Sequence, residues 1–320
     1  MERVLVTGGG GFIGSNLARA LLAEGYSVRL LESFTTGRRE NLDGLLDDVE
    51  LIEHPEGVLC PEACERAVEG VASVLHQAAI PSVPRSIAHP LLTHRVNVEG
   101  TLNMLEAARR EGVQRFVYAS SSSVYGDAPG EARREDILPR PLSPYAVSKR
   151  AAELYAMLYH SLHGLETVIL RYFNVFGPWQ DPDSQYAAVV PIFTRHLLAG
   201  EPPTIHGDGE QSRDFTYVDN VVAGNLLAMK AEGVGGEIFN VAAGESNSVN
   251  ELFRHLRDLT GADGVEPRHG PGRRGDVRRS QADISKAQRM LGFKIRVPFE
   301  EGLHRTVAWH KERTRFKSRI

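Results

Sequence analysis

Thr7-Gly8-Gly9-Gly10-Gly11-Phe12-Ile13-Gly14 is the stretch whose reading decides the fold of this chain. The apolar run Val4-Leu5-Val6 precedes it, and Leu17, Ala18, Leu21 and Leu22 follow at helical spacing. Strand, glycine turn and helix, in that order, are the context in which a glycine motif marks a dinucleotide site. Gly8, Gly11 and Gly14 carry no side chains, so the turn can tighten and backbone amides can approach a pyrophosphate. The helix N-terminus behind them favours anions. The next run, Tyr26 to Leu31, reads as a second strand, and Glu32 ends it. An acid there accepts hydrogen bonds from both ribose hydroxyls and repels a 2′-phosphate, which favours NAD over NADP. Arg38 and Arg39 lie close by and read as a solvated loop pair.

At 320 residues the chain has room for one large or two intimate domains. A formal net charge of −4 gives no reason to expect nucleic acid or a membrane surface. The basic run His310 to Arg319 reads as a solvated tail. Cys60 and Cys64 stand one helical turn apart, with no His cluster beside them in the sequence and no signal peptide ahead, so reduced thiols are expected and no metal. No apolar stretch reaches membrane-spanning length, and the expected location is cytoplasmic.

Strands are expected at Val49–Ile52, Ala72–His76, Arg115–Ala119 and Thr167–Leu170. Helical patterns cover Glu62–Glu69, Ile87–Glu111 and Ser143–His160, the last with Ser143 as N-cap and Pro144 at the first helical position. This alternation predicts an α/β fold, a Rossmann-type doubly wound parallel sheet. After Arg171, prolines and glycines interrupt the pattern; Val221–Lys230 and Asn250–Leu259 read as helices and Glu237–Val241 as a strand. Residues 1–171 are therefore expected to form the NAD-binding domain. Residues 172–320 are expected to form mainly a smaller C-terminal α/β substrate lobe, with some chain returning to the first.

Tyr145 and Lys149 are four apart on one helix and share a face. A phenol near pKa 10 is a poor base at neutral pH, and an ammonium one turn away lowers that value. Ser120 to Ser123 end the fifth strand, where a hydroxyl can bond the same substrate oxygen. Together these groups can remove a proton from an alcohol while hydride leaves its carbon.

Thr7–Gly14, Ser121, Tyr145-Ala146-Val147-Ser148-Lys149 and Arg171-Tyr172-Phe173-Asn174 resemble the extended short-chain dehydrogenase/reductase family over nearly the whole chain. Ser82–Ser86, Asp181-Pro182, Tyr186–Val189 and Gly207–Glu210 narrow the resemblance to UDP-hexose 4-epimerases, nearest the branch that accepts UDP-N-acetylglucosamine. The resemblance implies Ser121, Tyr145 and Lys149 as the catalytic triad. It implies NAD contacts from Gly8, Gly11, Phe12, Ile13, Gly14, Glu32, Ser33, Ala78, Asn97, Tyr145, Lys149 and Tyr172. It implies UDP-sugar contacts from Ser82, Ser121, Ser122, Asn174, Gln180, Ala188, Arg213, Arg273, Asp276 and Ser280. Arginine suits a diphosphate because its planar fork matches phosphate oxygens. By the same resemblance Ser280 borders the pocket at the sugar's 2-substituent, where a small residue leaves room for an N-acetyl group. A homodimer through the helices of 87–111 and 144–160 is also implied; the apolar face Val147, Ala151, Leu154, Tyr155 and Leu158 permits it, and core packing explains that face equally well. The family's Gly-Asp after strand three, whose aspartate reaches the adenine, is replaced here by His54-Pro55-Glu56.

The reaction so implied is 4-epimerisation: Tyr145 takes the 4-hydroxyl proton, and the 4-keto sugar turns over before hydride returns. A dehydratase or decarboxylase of the same family is the alternative. Related dehydratases carry acids just after the catalytic Ser/Thr, where this chain has Ser122 and Ser123. Uronate epimerases carry an arginine where this chain has Asp181. A non-catalytic NAD-binding regulator is the third reading, and an intact Ser121, Tyr145 and Lys149 set argues against it.

Overall fold

A computed structural model describes residues 2–128, 132–182, 188–272 and 278–317. The first half runs β1 (Arg3–Thr7), α1 (Phe12–Ala23), β2 (Ser27–Glu32), β3 (Val49–Glu53), α2 (Pro61–Val68), β4 (Ser73–His76), α3 (Val83–Ala88), α4 (Pro90–His94), α5 (Gly100–Glu111), β5 (Arg115–Ser121), α6 (Pro144–His163) and β6 (Glu166–Tyr172). The second half adds β7 (Val175–Phe176), α7 (Val189–Leu198), β8 (Thr204–His206), β9 (Ser212–Arg213), β10 (Thr216–Tyr217), α8 (Val218–Lys230) and β11 (Ile238–Val241). It ends with β12 (Asn247–Ser248), α9 (Val249–Thr260), β13 (Arg268–Gly270), β14 (Arg279–Ser280), α10 (Ser285–Leu291) and α11 (Phe299–Lys317).

Seven strands form one sheet in the order β11-β6-β5-β4-β1-β2-β3. Every neighbouring pair in it is parallel. This is the Rossmann-type doubly wound sheet. Its central strands bury both faces: Val4 and Val6 join the core cluster that includes α1 and α8, while Leu5 joins the cluster on the other face with Met104, Leu105 and Ala152. Burial on both sides is why these strands are nearly continuous apolar runs.

The order reverses between β1 and β4, which opens a crevice at their carboxyl ends. The backbones there come very close. A Cβ on Gly8, whose φ is +69°, would lie 2.9 Å from the Ala78 backbone, and a Cβ on Gly14 would lie 2.1 Å from the Gly8 carbonyl oxygen.

Three readings of the sequence change. The pattern over 87–111 is broken: α3 ends at Ala88, Pro90 starts α4, and a wider π-type turn over Arg95–Glu99 leads into α5. Pro90 has no N–H to give to a continuing helix. The basic C-terminal run continues α11 to Lys317 rather than being a tail. His310 is buried and Trp309 meets Trp179 edge-on, with ring centroids 5.4 Å apart. Arg19 of α1 and Arg313 of α11 both lie over the Trp179 ring, at 4.1 and 4.9 Å. Finally, Arg38 and Arg39 are not merely solvated: Arg38 pairs with Asp181 and Arg39 with Glu53, each at 2.6 Å.

Gly14→Ala is expected to cost at least about 2 kcal/mol, the scale of overpacking, and to abolish retention of nucleotide. Thermal melting, with mass analysis of nucleotide released on denaturation, measures both.

Candidate functional site

The carboxyl edge of the sheet gathers the predicted cofactor residues. Gly11 caps α1 without a side-chain hydrogen bond, so the first-turn amides of Phe12 and Ile13 carry no side-chain cap. Glu32 is buried, and its carboxylate accepts from the amides of Gly10, Ser33 and Phe34, each at 2.8 Å. Those bonds aim the carboxylate along the glycine loop. Ala78 donates its amide to Thr7 Oγ1 at 3.1 Å, which ties the loops on the two sides of the crevice. Glycines that admit close backbone approach, an open helix N-terminus and an oriented acid at the end of β2 together fit a dinucleotide.

Beneath this cradle lies His76, buried, with Nδ1 2.9 Å from Thr7 Oγ1 and Nε2 3.1 Å from Thr101 Oγ1. Burial, helped by the charge of Lys149, pulls its pKa down to about 3. Asn97 is spent on structure: its amide oxygen accepts from Ile80 N at 2.7 Å, and Nδ2 donates to the Ile80 carbonyl and to Ser148 Oγ. It therefore fixes the loop after β4 against α6. The Tyr172 hydroxyl lies in a triangle with Gln77 and Asn225, at 2.8 to 3.2 Å.

Ser143 and Pro144 start α6 as expected, with Ser143 Oγ accepting from Ala146 N at 3.1 Å. That start brings Tyr145 to the end of β5, where Ser121 hydrogen-bonds it; burial raises the Tyr145 phenol and the Ser121 bond works against the rise. Ser121 Oγ also accepts from Ser123 N at 3.2 Å, closing the short turn Ser122–Tyr125. Lys149, one turn on, is buried and gives its ammonium to the Ala119 carbonyl at 2.7 Å. Burial brings its pKa down to about 7, with the negative charge of Glu153 opposing the fall.

The predicted sugar-nucleotide residues come from the second half and the loops. Arg213 and Ser280 are direct neighbours in the ladder between β9 and β14. Asn174 is exposed just beyond β6, and its carbonyl accepts from Thr216 N at 3.2 Å. Gln180 donates to the Val175 carbonyl at 3.1 Å, Ala188 is the exposed N-cap of α7, and Ser82 caps α3 by accepting from Arg85 N. Arg273 and Asp276 lie outside the described residues.

Three residues of this region escaped the sequence reading. Asp214, next to Arg213, is buried and accepts from the amides of Ala243, Gly244 and Ala282 at 2.8 to 3.1 Å. It joins the loop after β11 to the segment after β14; burial lifts its pKa to about 6 despite those bonds. Asn240 does similar work, accepting from Tyr125 OH at 2.7 Å and donating to the carbonyls of Arg133 and Asp283. Glu153 is the third. At the rim by β3, His54, Glu56 and Cys60 each bring a ligand atom within 4.8 Å of the others, so a histidine does approach a cysteine. Local bonds account for that grouping: His54 Nδ1 accepts from Glu56 N at 3.3 Å, and Cys60 Sγ donates to Glu62 at 3.2 Å.

The family model described as "NAD dependent epimerase/dehydratase family" matches residues 4–242. The chain belongs to this family. A UDP-glucose 4-epimerase of Mycolicibacterium smegmatis is 39% identical over 314 residues, covering 98% of this chain and 99% of that one. A UDP-N-acetylglucosamine 4-epimerase of Methanobrevibacter ruminantium, solved with UDP-N-acetylmuramic acid, is 38% identical with a TM-score of 0.92, covering 98% of this chain and 99% of that one. A UDP-glucose 4-epimerase of Thermus thermophilus, solved with NAD, is 38% identical with a TM-score of 0.87, covering 97% and 99%. The chain is an enzyme of the epimerase/dehydratase family and NAD is its cofactor. Among the described residues no helix is long and apolar enough to cross a membrane.

His76 sets a pH dependence of stability. Its folded pKa of about 3 lies below the ordinary 6.5, so between those values the unfolded chain binds a proton that the fold excludes. The stability gained by keeping it neutral is complete above 6.5 and is lost as pH falls, by about 2 kcal/mol at pH 5. Urea unfolding at pH 7 and pH 5 should show that loss in the wild type and less of it in His76→Gln.

Proposed function

We propose that the protein is a UDP-sugar 4-epimerase that interconverts UDP-glucose with UDP-galactose and UDP-N-acetylglucosamine with UDP-N-acetylgalactosamine. The observation that carries this reading is Ser121 bonded to Tyr145 at the carboxyl end of β5, with Lys149 buried one turn on and bonded to the Ala119 carbonyl. Residues 1–171 would then hold mainly the cofactor and 172–320 mainly the sugar nucleotide.

In this reading Tyr145 takes the proton of the sugar 4-hydroxyl and later returns it. Ser121 bonds the same oxygen and holds it at the phenol. Lys149, one turn along the same face of α6, would supply the positive charge that favours a phenolate. NAD held by the Gly8–Gly14 loop and Glu32 would supply the hydride acceptor and donor for C4. Arg213 would meet the diphosphate, with Ser280 beside it toward the sugar. Ser122 and Ser123 put no carboxylate after Ser121, which disfavours the elimination of water that a dehydratase performs. Asp181, paired with Arg38, offers an anion where a uronic acid would need a cation.

The same reading includes a homodimer. Val147, Leu154, Tyr155, Leu158 and Leu162 of α6 stand at 37 to 69% exposure, beside Ile87 and Leu91 at 63 and 79%. Core packing does not use these side chains, and a second copy would cover them.

Tyr145→Phe is expected to lower turnover at least about a hundredfold, the scale of a lost general base, with NAD still bound. Near-normal turnover in pure variant protein would reject the assignment. Ser280→Tyr should abolish activity on the N-acetylated pair and spare the smaller hexoses, because overfilling a packed pocket is costly. Assaying both pairs with both proteins by chromatography decides it; equal loss on both pairs removes Ser280 from this role.

A further inference from the structure

We infer that Glu153 is a positioning residue for the catalytic pair: its carboxylate, clamped at the back of α6, is the counter-charge that keeps Lys149 an ammonium. The inference rests on the reading that Tyr145 and Lys149 do the chemistry. Tyr145, Lys149 and Glu153 follow one another at four-residue steps and so share a face of α6. Glu153 is fully buried. Its Oε1 accepts from Ser120 Oγ at 2.6 Å and Arg171 Nε at 2.8 Å, and its Oε2 from Arg171 Nη2 at 2.9 Å and Arg150 Nη1 at 2.8 Å. Four bonds from three elements leave the carboxylate no freedom to turn away.

A buried ammonium needs such a neighbour. Among the described residues, the titratable and charged groups that face Lys149 and Glu153 are Tyr145 and Arg150 on their own helix, His76 of β4, Tyr118 of β5 and Arg171 of β6. His76 is held neutral, as described above. The Tyr118 ring lies 5.1 Å from Lys149 Nζ, and burial pushes its phenol well above the ordinary range. Neither supplies a negative charge, and both arginines are positive. Burial alone would raise the Glu153 carboxyl, but the hydrogen bonds and charge of Arg171, with Ser120 and Arg150, outweigh it and keep Glu153 ionised. Glu153 is thus the anion left to oppose the desolvation of Lys149, whose pKa already stands near neutrality at about 7.

The alternative is that Glu153 only braces α6 against β5 and β6. The two roles separate in pH behaviour. The experiment compares wild type, Glu153→Gln and Glu153→Asp as purified with their nucleotide. One readout is the Lys149 Cε shift in isotope-labelled lysine NMR, assigned by its absence in Lys149→Met; the other is the pH profile of kcat on UDP-glucose. In Glu153→Gln the Lys149 titration and the alkaline fall of kcat should both move down by about one pH unit, the lower end for loss of an opposite charge. Glu153→Asp should move both back toward wild type. Unchanged midpoints with only a lower Tm would overturn the inference. If Glu153→Gln does not fold, Glu153→Gln/Arg171→Met removes both buried charges, a kind of replacement that proteins often tolerate. Its reference is Arg171→Met, which lacks the same cation: the Lys149 midpoint should lie lower in the double variant than in Arg171→Met, and equal midpoints overturn the inference. A lowered Lys149 titration in Glu153→Gln, beside a wild type that epimerises no UDP-sugar, would sink the functional reading and leave the positioning role standing.

Discussion

The ion pair between Arg171 and Glu153 is the constraint on which the site depends. Neither partner reaches solvent. Taking two charges out of water costs several kcal/mol each, and removing one partner alone would leave an uncompensated charge in the core. The pair is therefore a strict condition on geometry: α6 must lie where Glu153 meets the guanidinium from β6 and the hydroxyl of Ser120 from β5. That placement fixes the rotation of the helix, and with it the direction of Tyr145 and Lys149. Arg171 is held from its other side as well, with the guanidinium 4.6 Å from the Tyr125 ring, whose hydroxyl reaches Asn240 on β11. One buried polar chain thus runs from the base-bearing helix, through the sheet, to the strand that the second half returns to it.

Much of this was legible in the sequence because the signals are local. The glycine turn needs backbone proximity that only missing side chains permit, so Gly8 and Gly14 announce it. Ser143-Pro144 marks a helix start by capping chemistry confined to four residues. Tyr145 and Lys149 declare a shared face by spacing alone. Apolar runs without alternation announced strands buried on both sides.

What stayed hidden is set by distant partners. Asp214 looks like any acid beside an arginine until the loops at 243–244 and 282 arrive to donate their amides. Glu153 has the spacing to share a face with Lys149, yet a charge within a helix reads as solvated until β6 brings Arg171. The C-terminal basic run has the composition of a solvated tail, and only the ring of Trp179 shows why it is ordered. The pattern over 87–111 has apolar residues at helical spacing throughout, but Pro90 and the Asn97 turn divide it. Leu154, Tyr155 and Leu158 had two readings from sequence, and in the fold they stand at 37 to 48% exposure outside the two core clusters.

The Trp179 contacts also bear on the order in which the protein can be made. Arg19 near one end of the chain and Arg313 near the other share that ring, Lys230 reaches Glu24 at 2.6 Å, and β11 completes the sheet begun at β1. These are contacts of very long sequence separation, and loop closure must precede the reward for making them. The glycine-loop half emerging from a ribosome therefore meets an open sheet edge at β6 and an uncovered α1 until residues far downstream appear. Completion of the cofactor lobe therefore waits on residues far downstream, and the growing chain has a window in which an exposed parallel edge must be kept from pairing with another chain.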